Sequence, residues 1–296
     1  VGDARQELHN DPIAKREYED RLTSAEQAEE ALILSLLEQP ERSKWFYQKA
    51  QQLVPNKRHL QSVLSSVLSQ VYHSAPIIRN ELINRDRPSA QAVAARNKLL
   101  SAMLEQPHTV DLGIDKFPPE KAIYRALLRE SGLHRELEQG KLDFASISEK
   151  PDPVKLVPTW QKIEDFLAST AEQPRSFVEL NQVLMAPPYG VKAGVLPILY
   201  ITAYLVHRHQ LALYEERLYR PELTQDMLDR FIKRPDEFFV QQFKISGVRS
   251  SIFAQYAQVI HGTSASKTLL ELAQPLAVFM GQLPEYTQKT RRGLSE

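Results

Sequence analysis

The sequence predicts a mainly α-helical protein, in which a helical N-terminal part precedes an elaborated winged-helix unit with a small β-wing. Three observations predict it. Leu60, Val63, Leu64, Val67, Leu68 and Val71 recur at the spacing of one helix face. The most apolar segment of the chain, Ala193 to Val206, carries no charge after Lys192 and suits a buried helix. Two short alternating stretches follow it, Leu211–Tyr214 and Phe238–Phe243, with a helical insert, Thr224–Lys233, between them. Helix, short strand, insert and short strand is the order of a buried helix that carries a wing.

The elements in chain order support this. Residues 14–39 place Leu22, Ala25, Ala28, Leu32, Leu36 and Leu37 at helical spacing, with Thr23 or Ser24 able to cap and Pro40 as the stop. Trp45, Phe46 and Tyr47 are expected in a second, shorter helix as a packing anchor; a stacking platform is the minority reading. Pro76 ends the helix that begins near Leu60. Ser89 opens another, rich in Ala and Leu and closed by Pro107. Leu112–Phe117 reads as a short connection, extended in one reading. Pro118-Pro119-Glu120 starts a helix through Arg129, and Ser131-Gly132-Leu133 signals its end.

Gly140 and the prolines at 151, 153 and 158 make the segment 134–158 the candidate domain boundary. The expected division is thus 1–150, with 60–135 a candidate winged-helix-like core of its own, and 151–296. Helices are expected at Thr159–Ala171, Ser176–Met185, Val248–Ile260 and Thr268–Met280, before a basic tail.

Composition sets limits. Lys+Arg and Asp+Glu both number 37, so the chain has no global charge bias toward nucleic acid or an anionic membrane, and only a local basic patch is open. There is no cysteine, which excludes disulfides, thiolate catalysis and Cys-ligated zinc. The longest apolar run is shorter than the roughly 20 residues of a membrane span and contains Pro197. The polar N-terminus lacks the apolar core of a secretory signal, and a cytoplasmic location is expected. A first residue Val1 and a charged end at Glu296 are what a piece of a longer protein would show.

No catalytic constellation stands out. His261–Thr268 ends in Lys-Thr but lacks the spacing and the glycine of a phosphate loop, and capping by Ser264 or Ser266 explains it more simply. Gly190 and Gly194 have no support as a dinucleotide loop. His207 and His209 would point to different faces of a helix, and a cation-rich helix end accounts for them. No metal or cofactor is expected.

Arg79, Arg85, Arg87, Arg96 and Lys98, interrupted by Glu81 and Asp86, form the best basic cluster. A solvated or internally paired face is weighed there against phosphate binding. The apolar helix at Ala193–Val206 cannot read a groove, so DNA contact by the wing unit would fall to Lys192, Arg208, Arg217 and Arg220.

Four phrases, APIIRNELINRDRPSAQAVAARNKLLSAMLEQ, FPPEKAIYRALLRESGLH, PPYGVKAGVLPILYITAYLVHRHQLALYEE and LPEYTQKTRRGLSE, lie in scattered blocks between Leu60 and Glu296. Together they resemble the non-catalytic region of very large bacterial P-loop ATPases encoded with phage-defence systems, of the BREX and related kinds. The resemblance implies an accessory module whose nucleotide-binding domain lies elsewhere in the polypeptide. Its partners would be the remainder of that ATPase or other defence proteins, with sequence-independent DNA contact. No intact Walker A motif is present, so ATP binding transfers to no residue here. The alternatives are a stand-alone DNA-binding winged-helix protein and a regulatory scaffold.

Overall fold

A computed structural model describes residues 11–137, 140–147, 151–243, 278 and 281–284. Among these residues the chain is mainly α-helical, with small antiparallel sheets of two, two and three strands. It divides into two compact units, Val1–Val71 and Tyr72–Glu296. The expected helices Val248–Ile260 and Thr268–Met280, the His261–Thr268 loop and the basic tail lie almost wholly outside the described residues.

In the smaller unit, helix α1 spans Pro12–Glu38. Asp11 caps it, its carboxylate accepting the amides of Ile13 and Ala14 at 3.0 and 3.1 Å. The helix therefore starts well before Thr23 and Ser24, whose hydroxyls instead donate to the Glu19 and Asp20 carbonyls one turn back. None of its residues is buried. The aromatic triplet is not helical. Trp45–Tyr47 is strand β1, paired in a hairpin with β2, Ala50–Gln52. Gln48 and Lys49 close it in left-handed conformation, φ 48° and 67°, which is the primed turn that matches strand twist. Trp45 reaches back to donate Nε1–H to the Pro40 carbonyl at 2.9 Å. Helix α2, Lys57–Val71, buries Leu60.

The larger unit holds the main core. Helix α3, Ala90–Glu105, begins where Ser89 caps the Ala92 amide at 3.3 Å, and buries Ala95, Leu99, Leu100 and Met103. Helix α4, Pro119–Tyr124, runs into a π-turn at Arg125–Arg129 and stops at Gly132, φ +75°. In place of an extended connection at Leu112–Phe117, a 3₁₀ turn spans Val110–Gly113, with Asp111 and Leu112 left-handed at φ 50° and 53°. The hairpin of β3, His134–Glu136, and β4, Leu142–Phe144, follows. Where the sequence suggests a boundary near residue 150, Phe144, Val154 and Leu156 share one apolar cluster with residues of α3, α4 and the segments beyond.

Helices α5, Val157–Ser169, and α6, Glu179–Met185, lead to α7, Leu196–His207. Every residue of α7 from Ile198 to Leu205 is buried. At an apolar content this high the helix has no solvent face. Its approach is fixed by Gly190 and Gly194. A Cβ on Gly190, φ +60°, would come 2.7 Å from the Tyr72 ring, and one on Gly194 would come 2.4 Å from the Ile83 carbonyl oxygen. Both glycines serve close packing.

The strands beyond α7 are β5, Leu211–Glu215, β6, Leu218–Arg220, and β7, Phe238–Gln242, with α8, Gln225–Lys233, between the last two. The sheet order is β6-β5-β7. Strand β6 is not expected from the sequence; it joins β5 through Glu216 and Arg217, both left-handed. No helix among the described residues is long and apolar enough to cross a membrane.

Candidate nucleic-acid interface

The chemistry of α4 follows from its two faces. Ile123, Tyr124, Leu127 and Leu128 are buried in the core, while Lys121, Arg125 and Arg129, four residues apart, form a basic stripe along the helix and its π-turn. All three converge on Asp111. Arg125 Nη2 donates to Oδ2 at 2.8 Å, Lys121 Nζ lies 3.0 Å from the same oxygen, and Arg129 Nη1 reaches Oδ1 at 3.3 Å. The Arg125 hydrogen bond, opposed by burial and helped by Lys121, holds the Asp111 carboxyl below the usual range. These bonds also anchor the left-handed Asp111–Leu112 backbone, a conformation that non-glycine residues hold only when their surroundings enforce it.

Three cations on one carboxylate leave positive charge over. Arg79 adds to it. An open groove of about 560 Å³ is lined by Arg79, Arg125, Arg129 and Glu130, with Ala122 and Ala126 as small side chains between the arginines. Beside it stands Phe117, 84% exposed. The Lys121 ammonium lies 5.7 Å and the Arg125 guanidinium 5.6 Å from its ring centre, within cation–π range.

The expected basic residues fall into three groups. Arg79, Arg85 and Arg87 are exposed on the segment before α3, and among the described residues they make no ion pair; of them, Arg79 lines the groove. The Arg85 carbonyl accepts the Gly194 amide at 3.2 Å, so this basic segment is tied to the start of α7. Lys98 is exposed, 4.0 Å from Glu120 at the first turn of α4. Arg96 is half-buried against Asn97, and burial lowers its pKa.

The candidates around α7 and the three-stranded sheet are mostly engaged within the fold. Arg208 binds buried Asp143 through both terminal nitrogens, at 2.8 and 3.3 Å. Arg220 pairs with buried Glu215 at 3.0 Å, and Arg230 of α8 chelates the same carboxylate. Lys192 pairs with Asp86 at 3.0 Å. Arg217, at the β5–β6 turn, is exposed. Sequence reading missed Lys121, Arg125, Arg129 and Phe117, although the four-residue spacing of the first three within a helix is a legible signal.

Two histidines are engaged within the fold. Buried His134 donates from Nε2 to the Pro107 carbonyl and accepts at Nδ1 from the Tyr124 hydroxyl, each at 2.8 Å. In the neutral ring this places the proton on Nε2, and burial lowers its pKa. His207 lies 3.6 Å from Glu164 and is likewise shifted down by burial. Among the described residues no group of His, Asp and Glu could hold a metal ion. No protein-family model, curated protein or solved structure gives a significant match to the chain.

Proposed function

We propose that the chain is a non-enzymatic accessory module that contacts nucleic acid through phosphates, without reading sequence, and contacts a protein partner through its helical surfaces. In this reading α7, β5 to β7 and α8 form an elaborated winged-helix unit whose central helix is a pillar. The observation that carries the proposal is the burial of α7 from Ile198 to Leu205. A recognition helix needs a polar face for the groove, and α7 has none to offer. Contact then falls to the cations left over at the surface, Arg79, Arg125 and Arg129, with Arg85 and Arg87 near Arg79 in the chain. Such contact is electrostatic, salt-dependent and indifferent to base sequence. The sequence resemblance supplies the wider setting: a helper region within, or beside, a larger phage-defence ATPase in the cytoplasm.

The test is a fluorescence-anisotropy titration of the whole chain at low salt against duplexes of unrelated sequence. Equal affinities that fall steeply with salt are expected. A marked preference for one sequence, or the absence of binding to duplex and single strand alike, rejects the reading. ATP hydrolysis by the chain alone, lost on Lys267→Ala, would overturn its non-enzymatic part.

A further inference from the structure

We infer that the groove beside α4 is a site for single-stranded nucleic acid, in which Arg79, Arg125 and Arg129 hold a phosphate and Phe117 stacks on the neighbouring base. The inference rests on the proposed nucleic-acid contact and names the form of nucleic acid that fits.

Its basis is the juxtaposition of two features that a fold does not need together. The first is the groove, whose volume of about 560 Å³ lies in the ~300–1,000 Å³ range of small-ligand sites. Its arginines have more donors than the protein supplies acceptors. Asp111 takes one terminal nitrogen each from Arg125 and Arg129, and the buried Arg125 Nε has no acceptor among the described residues. The Arg220 Nε is also without one, but that guanidinium belongs to the Glu215 pair in the wing. Arg79 makes no ion pair among the described residues and presents its whole fork. Ala122 and Ala126 are the small side chains in the same lining. Among the described residues Glu130 is the one carboxylate in the lining, set against three arginines.

The second feature is Phe117. A large aromatic side chain 84% exposed gains almost nothing from burial. Its neighbours are the two cations near its ring, both tied to Asp111. Arg125 belongs to both features, lining the groove while its guanidinium lies 5.6 Å from the ring centre. A phosphate site and an open aromatic face are therefore presented within the reach of one side chain.

Single strands match this pair and duplexes do not. In a duplex the base faces are stacked on one another, and a protruding ring meets only backbone. In a single strand each nucleotide offers a phosphate and an open π-face, and aromatic platforms beside cationic grooves bind it with little regard to sequence. An acidic peptide would satisfy the arginines and leave the ring without a planar partner.

The experiment is anisotropy of the whole chain with fluorescein-labelled oligo-dT and with a duplex of equal length, at low salt. Oligo-dT is expected to bind more tightly. Phe117→Ala should weaken oligo-dT on the order of tenfold and leave the duplex unchanged, while Phe117→Trp retains binding. Arg79→Ala with Arg129→Ala should weaken both. If Phe117→Ala leaves oligo-dT binding intact, the stacking inference is overturned, while salt-sensitive duplex binding preserves the phosphate-contact reading. Failure to bind either oligonucleotide overturns both. Displacement of oligo-dT by poly-glutamate at equal charge, with no loss in Phe117→Ala, would assign the groove to acidic peptide instead.

Discussion

Helices α7 and α4 belong to the same compact unit and use their surfaces in opposite ways. Helix α7 buries every residue from Ile198 to Leu205 and carries no Asp, Glu, Lys or Arg. Helix α4 buries Ile123 and Tyr124, with Leu127 and Leu128 of its π-turn, and turns Lys121, Arg125 and Arg129 toward Asp111 and the groove. The first helix can only stabilise. The second stabilises on one face and has charge left over on the other. A π-turn at the end of α4 fits this division, since such widened turns recur where a helix serves a site. The most apolar helix thus has little polar surface to offer a ligand.

The contrast predicts a double dissociation, and the largest effect falls on the pillar. Leu199→Ala should lower stability by about 2–5 kcal/mol, the cost of a cavity in a packed core, with nucleic-acid affinity of the folded fraction unchanged. Denaturant titration and anisotropy on the same sample check it. Equal damage to affinity would mean that α7 takes part in binding.

Charge reversal of the groove should do the converse. Arg79→Glu should weaken oligonucleotide binding at low salt several-fold, while stability moves by no more than about 0.5 kcal/mol, as for exposed substitutions; Arg129→Glu, which sets a carboxylate against Asp111, should lower both. Asp111→Asn links the two effects. It removes the carboxylate that holds the left-handed turn, costing about 1–2 kcal/mol after allowance for solvent screening. It also frees positive charge, so binding to oligo-dT should tighten. Weaker binding would mean that Asp111 positions the arginines more than it neutralises them.

A smaller effect concerns pH. Burial holds His134 and His207 below their ordinary value, so the folded chain binds fewer protons there than the unfolded chain. Stability should therefore fall as pH drops below about 6.5. Asp111 and Glu215 are held low chiefly by arginine hydrogen bonds, and Asp143 by Arg208 against the opposing effect of burial. Their contribution is present near neutrality and is lost as pH falls below about 4. Thermal melts across this range should show a shallow decline followed by a steep one; a profile that is flat from pH 7 to 5 would contradict the lowering of the two histidines.

The fold is legible where one residue's chemistry decides an element. Ser89 and Thr224 cap α3 and α8 through their hydroxyls, Gly132 ends the turn after α4, and an uncharged run makes α7 a buried helix. It is illegible where a turn lacks its usual residues. Both two-residue hairpins, at Gln48-Lys49 and Glu216-Arg217, adopt left-handed backbone without Gly, Asn or Asp. The strong hairpin signal is therefore missing, so the sequence points Trp45–Tyr47 toward a helix and gives no sign of β6. At the site, Arg79 is legible as part of a basic cluster. Its association with Arg125 and Arg129 depends on chain folding over a long sequence separation. Phe117 is hidden by the general rule that aromatic residues fill cores, which this one does not.

The most direct test of the leftover-charge account is the salt dependence of oligo-dT binding. In a plot of log affinity against log salt, Arg79→Ala with Arg129→Ala should make the slope shallower by about 0.7, the single-strand value for one phosphate that is no longer neutralised. Arg217→Ala at the β5–β6 turn should leave it unchanged. A slope that survives the groove substitutions intact, or that drops as much with Arg217→Ala, would contradict the assignment of phosphate binding to α4.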